Sequence, residues 1–198
     1  MGGHALIGAS ATLGQSFKKI IAIDPVIPEP NSFREQNSEL FEDVSNHPIA
    51  KRRNEFSSVE EMMDRLRSKG SYGIFDPEVF KDYCKYGLLK NETGSGYHLA
   101  CPPDIEASVY SSSRTNAKIY DSLGKIKFPV LIIRAKERQP GKQVMDFSTS
   151  PTWPELVNQF ENGKEIYFPN NTHFLPMEIP EKIIEILKIE IAEVATQF

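Results

Sequence analysis

The sequence predicts an α/β protein in which a parallel sheet is interrupted by a long helical insert. Three apolar runs with the features of buried strands occur at 18–24, 128–134 and 164–168. Helical patterns precede the first run and follow the other two, and this alternation is typical of a parallel sheet. The remaining stretch, residues 25–124, shows helical periodicity and no two-residue strand alternation.

Composition limits the classes of partner. The 198-residue chain has 23 basic and 27 acidic side chains and a formal net charge of -4. Because these charges are mixed, we expect neither a nucleic-acid partner nor an anionic-membrane surface, since both require a concentrated basic face. The two cysteines, Cys84 and Cys101, are too few for a disulfide-stabilised secreted domain, so an intracellular, cytoplasmic location is expected. No apolar run reaches the ~18–20 residues of a membrane-spanning helix.

The first predicted elements are a helix and a strand. Residues 1–16 have apolar side chains at helical spacing, and several small residues, such as Gly3, would let this helix lie close to a sheet. The apolar run 18–24 then predicts a buried strand that ends at Asp24-Pro25. We therefore assign residues 1–24 to the core.

The insert begins where Pro25, Pro28 and Pro30 exclude regular structure. A helix is predicted over 58–68, where Ser58 and Glu61 form a Ser-x-x-Glu capping box. A second helix is predicted to start at Asp76-Pro77, and short helices follow towards residue 124. We expect residues 25–124 to form an all-helical cap over a site, and the Phe, Met and Tyr side chains of the cap suggest a small apolar substrate.

The core pattern resumes at residues 125–198. The strand 128–134 precedes a helix around 153–160, in which Pro154 occupies the first turn. The strand 164–168 then leads into a polar turn that contains His173, and a Pro-Met-Glu-x-Pro segment precedes the last helix, 179–194. The turn is notable because it presents one histidine at the end of a predicted parallel strand.

Two segments resemble the α/β-hydrolase superfamily. Residues 168–180 resemble the end of the last strand, the histidine loop and the start of the final helix of that superfamily. Met1-Gly2-Gly3-His4-Ala5 is similar to the residues around and after the nucleophile in its Gly-x-Ser-Met-Gly-Gly elbow. The resemblance implies the C-terminal part of the fold: three remaining strands of the parallel sheet, flanking helices and the inserted cap. It also implies that the nucleophilic serine lies one position before Met1 and is absent from this sequence.

The resemblance implies a role for each site residue. His173 is expected to be the general base, and the backbone nitrogen of Met1 is expected to contribute to the oxyanion hole. Asp24 matches the position of the acid in members that place it after the earlier strand, and we prefer it. Glu137 is the alternative, because it lies after the strand 128–134 where many members have a Gly-Glu-x-Asp phrase; Asp146 is a more distant substitute.

These roles predict a serine hydrolase that cleaves an ester, thioester or amide through an acyl-enzyme. No cofactor is implied, and His4, His47 and His98 lack metal-ligand spacing. Because the nucleophile is absent, we expect this chain alone to be inactive. The alternative is a non-catalytic α/β-hydrolase-like binding protein. In either case the strand 18–24 would have an open apolar edge, which is expected to permit self-association.

Overall fold

The computed structural model describes residues 1–31, 44–92, 94–113, 117–139 and 147–196. The chain divides into two compact units. The first unit comprises Met1–Glu35 and Ala117–Phe198, and the second comprises Gln36–Asn116.

The strands of the described residues are β1 (Ile20–Ile23), β2 (Glu55–Phe56), β3 (Leu88–Lys90), β4 (Tyr97–Leu99), β5 (Val130–Arg134) and β6 (Gly163–Tyr167). The α-helices of the same residues are α1 (Gly2–Leu13), α2 (Val59–Leu66), α3 (Pro77–Tyr86), α4 (Pro103–Ser113), α5 (Leu175–Glu178) and α6 (Pro180–Ala195). Shorter 3-10 helices connect them, at Gly14–Ser16, Val44–Asn46, Pro48–Lys51, Gly70–Ile74, Ala117–Ile119, Leu123–Lys125 and Pro154–Gln159.

The first unit contains a three-stranded sheet in the order β1-β5-β6, and both pairings are parallel. The central strand β5 is buried along its whole length, as its continuous apolar run predicts. Alternate residues of β5 face opposite layers: Ile132 packs in a cluster with Ile7 of α1, and Ile133 packs in a cluster with Ile183 of α6. The predicted parallel sheet with flanking helices is confirmed, and helices lie on both of its faces.

The boundaries of the predicted elements shift where the local chemistry ends them. The first helix stops at Leu13, because Gly14 adopts a positive φ of 43° and a 3-10 turn follows. The predicted strand 18–24 is paired over Ile20–Ile23. The predicted helix 153–160 is the 3-10 helix Pro154–Gln159, which Pro154 begins.

Helix α1 lies close to the sheet at Gly3. A Cβ atom at Gly3 would lie 2.9 Å from Pro25 Cβ, closer than side chains normally approach, and 3.6 Å from Ala22 Cβ, an ordinary contact distance. At Gly8 of the same helix a Cβ atom would meet nothing within 4 Å. The expected close approach of this helix is therefore found at Gly3, beside the turn that follows β1.

The second unit has the predicted helix starts. The Ser58 hydroxyl accepts the Glu61 N–H at the start of α2, and the Asp76 carboxylate accepts the N–H groups of Glu78 and Val79 at the start of α3. The reciprocal half of the predicted capping box is shifted by one residue, because the Glu61 carboxylate accepts the N–H and the hydroxyl of Ser57. Both helices thus begin where a side-chain oxygen satisfies free backbone donors.

The prediction that residues 25–124 are all-helical is wrong. The second unit also contains an antiparallel sheet in the order β2-β4-β3. Its strands are two or three residues long, so they are too short to display the alternation by which a strand is recognised in sequence. Among the described helices of both units, none combines the length and the apolar character needed to cross a membrane.

Candidate active site

The candidate site lies at the carboxyl ends of the parallel strands. Asp24 directly follows β1, Ala135 directly follows β5, and His173 lies in the loop after β6. Because the carboxyl ends of parallel strands meet at one edge of a sheet, these three segments converge although they are distant in sequence. This edge is where α/β folds place their ligands.

His173 and Asp24 form a direct pair. His173 Nδ1 lies 2.8 Å from Asp24 Oδ2. A carboxylate oxygen accepts, so the imidazole donates its Nδ1–H and the neutral ring keeps its lone pair at Nε2. The Asp24 side chain is fully buried, whereas 19% of the His173 side chain is exposed. The carboxylate is thus shielded from water, and the base remains accessible.

The other oxygen of the Asp24 carboxylate, Oδ1, also accepts hydrogen bonds. Asp24 Oδ1 accepts the Ala135 N–H at 3.0 Å and the Ser150 hydroxyl at 2.6 Å, and Thr152 Oγ1 lies 3.2 Å away. A buried charge requires such partners to offset the loss of hydration. The Asp24 backbone has a φ of 43°, in the left-handed region that aspartate tolerates better than most residues.

The imidazole packs against two aromatic rings that also contact each other. The Phe147 ring stacks on it with centroids 4.8 Å apart, and the Phe174 ring meets it edge-on at 5.6 Å. The His173 N–H also donates to the Phe147 carbonyl at 3.2 Å. These contacts restrict rotation of the ring and thereby keep Nδ1 directed at Asp24.

The loop before His173 is held by Glu178 of α5. This carboxylate accepts the Thr172 N–H at 2.9 Å, the Asn171 side-chain amide at 3.0 Å and the Thr172 hydroxyl. The Thr172 hydroxyl oxygen also accepts the Phe174 N–H at 3.2 Å. The threonine side chain therefore contributes hydrogen bonds to the loop.

The other predicted site residues lie elsewhere. Glu137 is exposed, and its backbone N–H donates to the Tyr167 hydroxyl at 3.2 Å. Asp146 lies outside the described residues. Met1 is exposed and precedes α1, where its carbonyl accepts the Ala5 N–H. The structure therefore brings His173 together with Asp24, and the oxyanion role of Met1 stays a prediction.

An ion pair stabilises the end of β5. Arg134 donates to Glu165 at 2.7 and 3.2 Å, and its guanidinium lies 4.3 Å from the centre of the Tyr167 ring. Burial acts to lower the pKa of Arg134, but the bonds to Glu165 outweigh it and the pKa is raised. The strand end that precedes Ala135 is therefore fixed by the Arg134–Glu165 ion pair.

His4 lies beneath the turn that carries Asp24. Its Nδ1 lies 3.0 Å from the Val26 carbonyl oxygen, which can only accept, so this nitrogen carries a proton. Burial lowers the pKa of His4; the bond to Val26 opposes this shift and the charge of the amino terminus adds to it. His4 is thus a buried histidine that supports the turn in its neutral form.

Sequence reasoning missed the residues that hold the pair in place. Ser150 and Ala135 contact Asp24 across 126 and 111 residues, and no local pattern marks such contacts. Glu178 lies in the Pro-Met-Glu-x-Pro segment, so that segment did offer a signal for it. Among the described residues, no group of three or more His, Cys, Asp or Glu side chains is arranged to hold a metal ion.

Comparison with known proteins identifies the fold. No family model matches the sequence, and no curated protein matches it. The peroxisomal α/β-hydrolase Lpx1 of Saccharomyces cerevisiae matches in structure with a TM-score of 0.68 at 15% identity, over 98% of this chain and 51% of that chain. An E-2-(acetamidomethylene)succinate hydrolase gives 0.63 at 13% identity, over 96% and 63%. An esterase of M. tuberculosis gives 0.62 at 15% identity, over 96% and 59%.

The chain therefore has the α/β-hydrolase fold in part, as the resemblance implied. It spans between 51% and 63% of the length of these solved structures. The three-stranded parallel sheet and its flanking helices correspond to the C-terminal portion of the fold. At identities of 13–15% the likeness establishes the fold alone, so the activity must be argued from the site.

Proposed function

We propose that this chain supplies the histidine–aspartate pair of a serine hydrolase. The observation that carries the proposal is the 2.8 Å hydrogen bond between His173 Nδ1 and the buried carboxylate of Asp24. Nε2 of His173 takes the proton of a serine hydroxyl as that oxygen attacks a carbonyl carbon. Asp24 keeps the ring in the required tautomer and stabilises the imidazolium that forms. The acyl-enzyme is then released by water.

The nucleophile is placed outside these 198 residues, immediately before Met1. Among the described residues, Asp24 is the one hydrogen-bonding partner of the His173 ring. Ser10, the serine nearest to the elbow-like segment, is buried in α1 and donates to the Ile7 carbonyl at 2.8 Å. In this proposal the Met1 N–H stabilises the oxyanion, a contribution of typically ~3–4 kcal/mol. The chain alone is then inactive.

The proposed substrate is a small apolar ester, thioester or amide, selected by the inserted cap of residues 25–124. Support for an apolar substrate comes from the aromatic side chains of the second unit. Support for hydrolysis comes from neighbours that are named as an esterase and as an acetamidomethylene-succinate hydrolase. The thiols of Cys84 and Cys101 are both free, which favours the proposed intracellular location.

A second part of the proposal concerns the edge of the sheet. Within the described residues β1 pairs with β5 on one side, and its other edge has no strand partner. A hollow that includes Ile21 of β1 has a mainly apolar surface, and its lining also contains charged side chains: Lys18, Lys19, Ile21, Glu190, Ile191, Val194 and Ala195. Unpaired apolar edges promote association, so we propose that the isolated chain self-associates here. Size-exclusion chromatography across a dilution series should show a concentration-dependent mass; a constant monomer would contradict this part.

The function is tested with two proteins: this chain, and the same chain extended by the residues that its reading frame encodes upstream of Met1. We expect a fluorophosphonate probe to label the extended protein at a serine immediately before Met1 and to leave this chain unlabelled. His173→Ala should reduce hydrolysis of a p-nitrophenyl ester by the extended protein by ~10³-fold or more. Ser10→Ala, which removes a buried helix hydroxyl, should have no effect.

Two results would contradict the proposal. A stop codon directly before Met1 would rule out the proposed nucleophile. Hydrolysis that persists in His173→Ala would rule out His173 as the general base. A folded extended protein that binds apolar ligands but resists the probe would instead support the non-catalytic binding protein.

A further inference from the structure

We propose that Ser150 is a positioning residue for the base, acting through Asp24. Its hydroxyl holds Oδ1 of the carboxylate so that Oδ2 stays directed at His173 Nδ1. The proposal deepens the proposed function and rests on it for its catalytic meaning. Ser150 is 2% exposed, so its hydroxyl is committed to protein partners and not to water.

The geometry shows why one oxygen must be held. A carboxylate can rotate about its Cβ–Cγ bond and exchange its two oxygens. Oδ1 meets the Ala135 N–H at 3.0 Å and the Ser150 hydroxyl at 2.6 Å, while Oδ2 meets His173 at 2.8 Å. The two hydrogen bonds to Oδ1 come from different segments, and together they restrict rotation of the carboxylate. Oδ2 is then kept in one position, within hydrogen-bonding distance of the imidazole.

The direction of the Ser150 proton follows from its other bond. Ser150 Oγ accepts the Thr152 N–H at 3.0 Å, so its single proton is available for Asp24. Thr152 differs, because its hydroxyl lies 2.7 Å from the Pro25 carbonyl and 3.2 Å from Asp24 Oδ1. A carbonyl oxygen only accepts, so the Thr152 proton is committed mainly to Pro25. Ser150 is therefore the principal hydroxyl donor to the acid.

The backbone of Ser150 is fixed by the same loops that form the site. Its N–H donates to the Lys136 carbonyl at 2.7 Å, and the Lys136 N–H donates to the Asn171 carbonyl at 2.9 Å. Asn171 in turn lies two residues before His173. The segment that holds the carboxylate is thus joined through Lys136 to the loop that carries His173.

The test uses this chain as it is and needs no nucleophile. The His173 Nδ1 proton, bonded to a buried carboxylate, should give a strongly downfield NMR resonance that exchanges slowly with solvent. Ser150→Ala should accelerate this exchange by about 10-fold or more, because the carboxylate loses its closest donor. Ser10→Ala removes a buried serine hydroxyl from α1 and should leave the exchange unchanged.

A second variant covers the case in which Ser150→Ala fails to fold. Ser150→Cys keeps nearly the same volume but supplies a much weaker donor, so it should show the same acceleration. Wild-type exchange in a folded Ser150→Ala or Ser150→Cys protein would overturn the proposal. Because labelling by fluorophosphonate is measured separately on the extended protein, failure of the hydrolase proposal and failure of the positioning role give different results.

Discussion

Two segments follow neighbouring parallel strands at the same edge of the sheet, and only one of them brings a carboxylate to His173. The turn after β1 buries Asp24 completely and directs its carboxylate at the imidazole. The loop after β5 leaves Glu137 exposed and contributes a backbone N–H, from Ala135, to Asp24. The second segment therefore supports the acid of the first.

The difference shows that position at a strand end does not by itself make a carboxylate functional. Asp24 leaves β1 with a positive φ, which turns its side chain into the sheet edge where N–H and hydroxyl donors converge. Glu137 lies two residues beyond Ala135 and reaches solvent. Local backbone geometry and long-range donors decide which of the two carboxylates can be buried.

The largest expected effect is on the free energy of unfolding when either Asp24 or Glu137 is replaced. Asp24→Ala leaves the Ser150 hydroxyl, the Ala135 N–H and His173 without their acceptor, so we expect a loss of about 3 kcal/mol in the free energy of unfolding. Glu137→Ala, the matched change at an exposed carboxylate, should stay within ~0.5 kcal/mol. Urea unfolding followed by circular dichroism measures both. Equal losses of stability in Asp24→Ala and Glu137→Ala would contradict the view that only Asp24 is held by buried donors.

The next prediction tests how much the Arg134–Glu165 ion pair stabilises the end of β5. Glu165→Gln leaves the Arg134 guanidinium, whose side chain is 8% exposed, without its charged partner. We expect a loss of about 2 kcal/mol in unfolding free energy, because a buried charge loses its compensation. The control is Glu161→Gln, which breaks the exposed pair with Lys127 and should cost less than ~0.5 kcal/mol. A negligible effect of Glu165→Gln would show that this strand end is fixed by packing alone.

A smaller effect tests the packing under the Asp24 turn. Gly3→Ala places a Cβ atom 2.9 Å from Pro25 Cβ, so we expect a loss of about 1–2 kcal/mol as the helix or the turn shifts. Gly8→Ala in the same helix meets open space and should be neutral or stabilising by up to ~1 kcal/mol. Thermal unfolding of both variants provides the comparison. Stabilisation by Gly3→Ala would contradict the close approach of α1.

The smallest effect is a pH dependence at the same turn. Burial lowers the folded-state pKa of His4 below its usual value, so the unfolded chain takes up a proton before the folded chain does. Stability from this group is therefore present above the usual histidine pKa of about 6.5 and is lost as the pH falls towards the folded value.

His4→Asn gives the control, because its amide can still donate to the Val26 carbonyl but does not titrate. Between about pH 7.5 and about pH 5.5, wild type should lose more unfolding free energy than His4→Asn. Urea titrations at the two pH values measure the difference. The same loss in both proteins would show that His4 does not couple folding to protonation.

Much of this arrangement could be predicted from the sequence. The apolar runs identified β1 and β5, since buried parallel strands are largely continuous in hydrophobicity. The strand β6 was also predicted, although it is partly exposed and its sequence is mixed. The Asp24-Pro25 pair directly follows β1, and His173 lies in the polar turn after β6, so both candidate residues were marked by their places after strands. The preference for Asp24 over Glu137 came from resemblance and not from a local pattern.

The remaining features depend on contacts that sequence patterns do not encode. Ser150 meets Asp24 only because two loops converge at the sheet edge, and nothing around Ser150 marks its partner. The strands β2, β3 and β4 are too short to show a period. The small residues of α1 suggested close packing, but only the structure distinguishes Gly3, which contacts Pro25, from Gly8, which does not.

The pairing of His173 with Asp24 is tested most directly by kinetics of the upstream-extended protein. Asp24→Asn keeps the size of the side chain but removes the charge that orients the imidazole, and kcat should fall by ~10³–10⁴-fold. Glu137→Gln should leave kcat within about twofold. A large loss in Glu137→Gln with near-normal activity in Asp24→Asn would contradict the assignment of Asp24 as the acid.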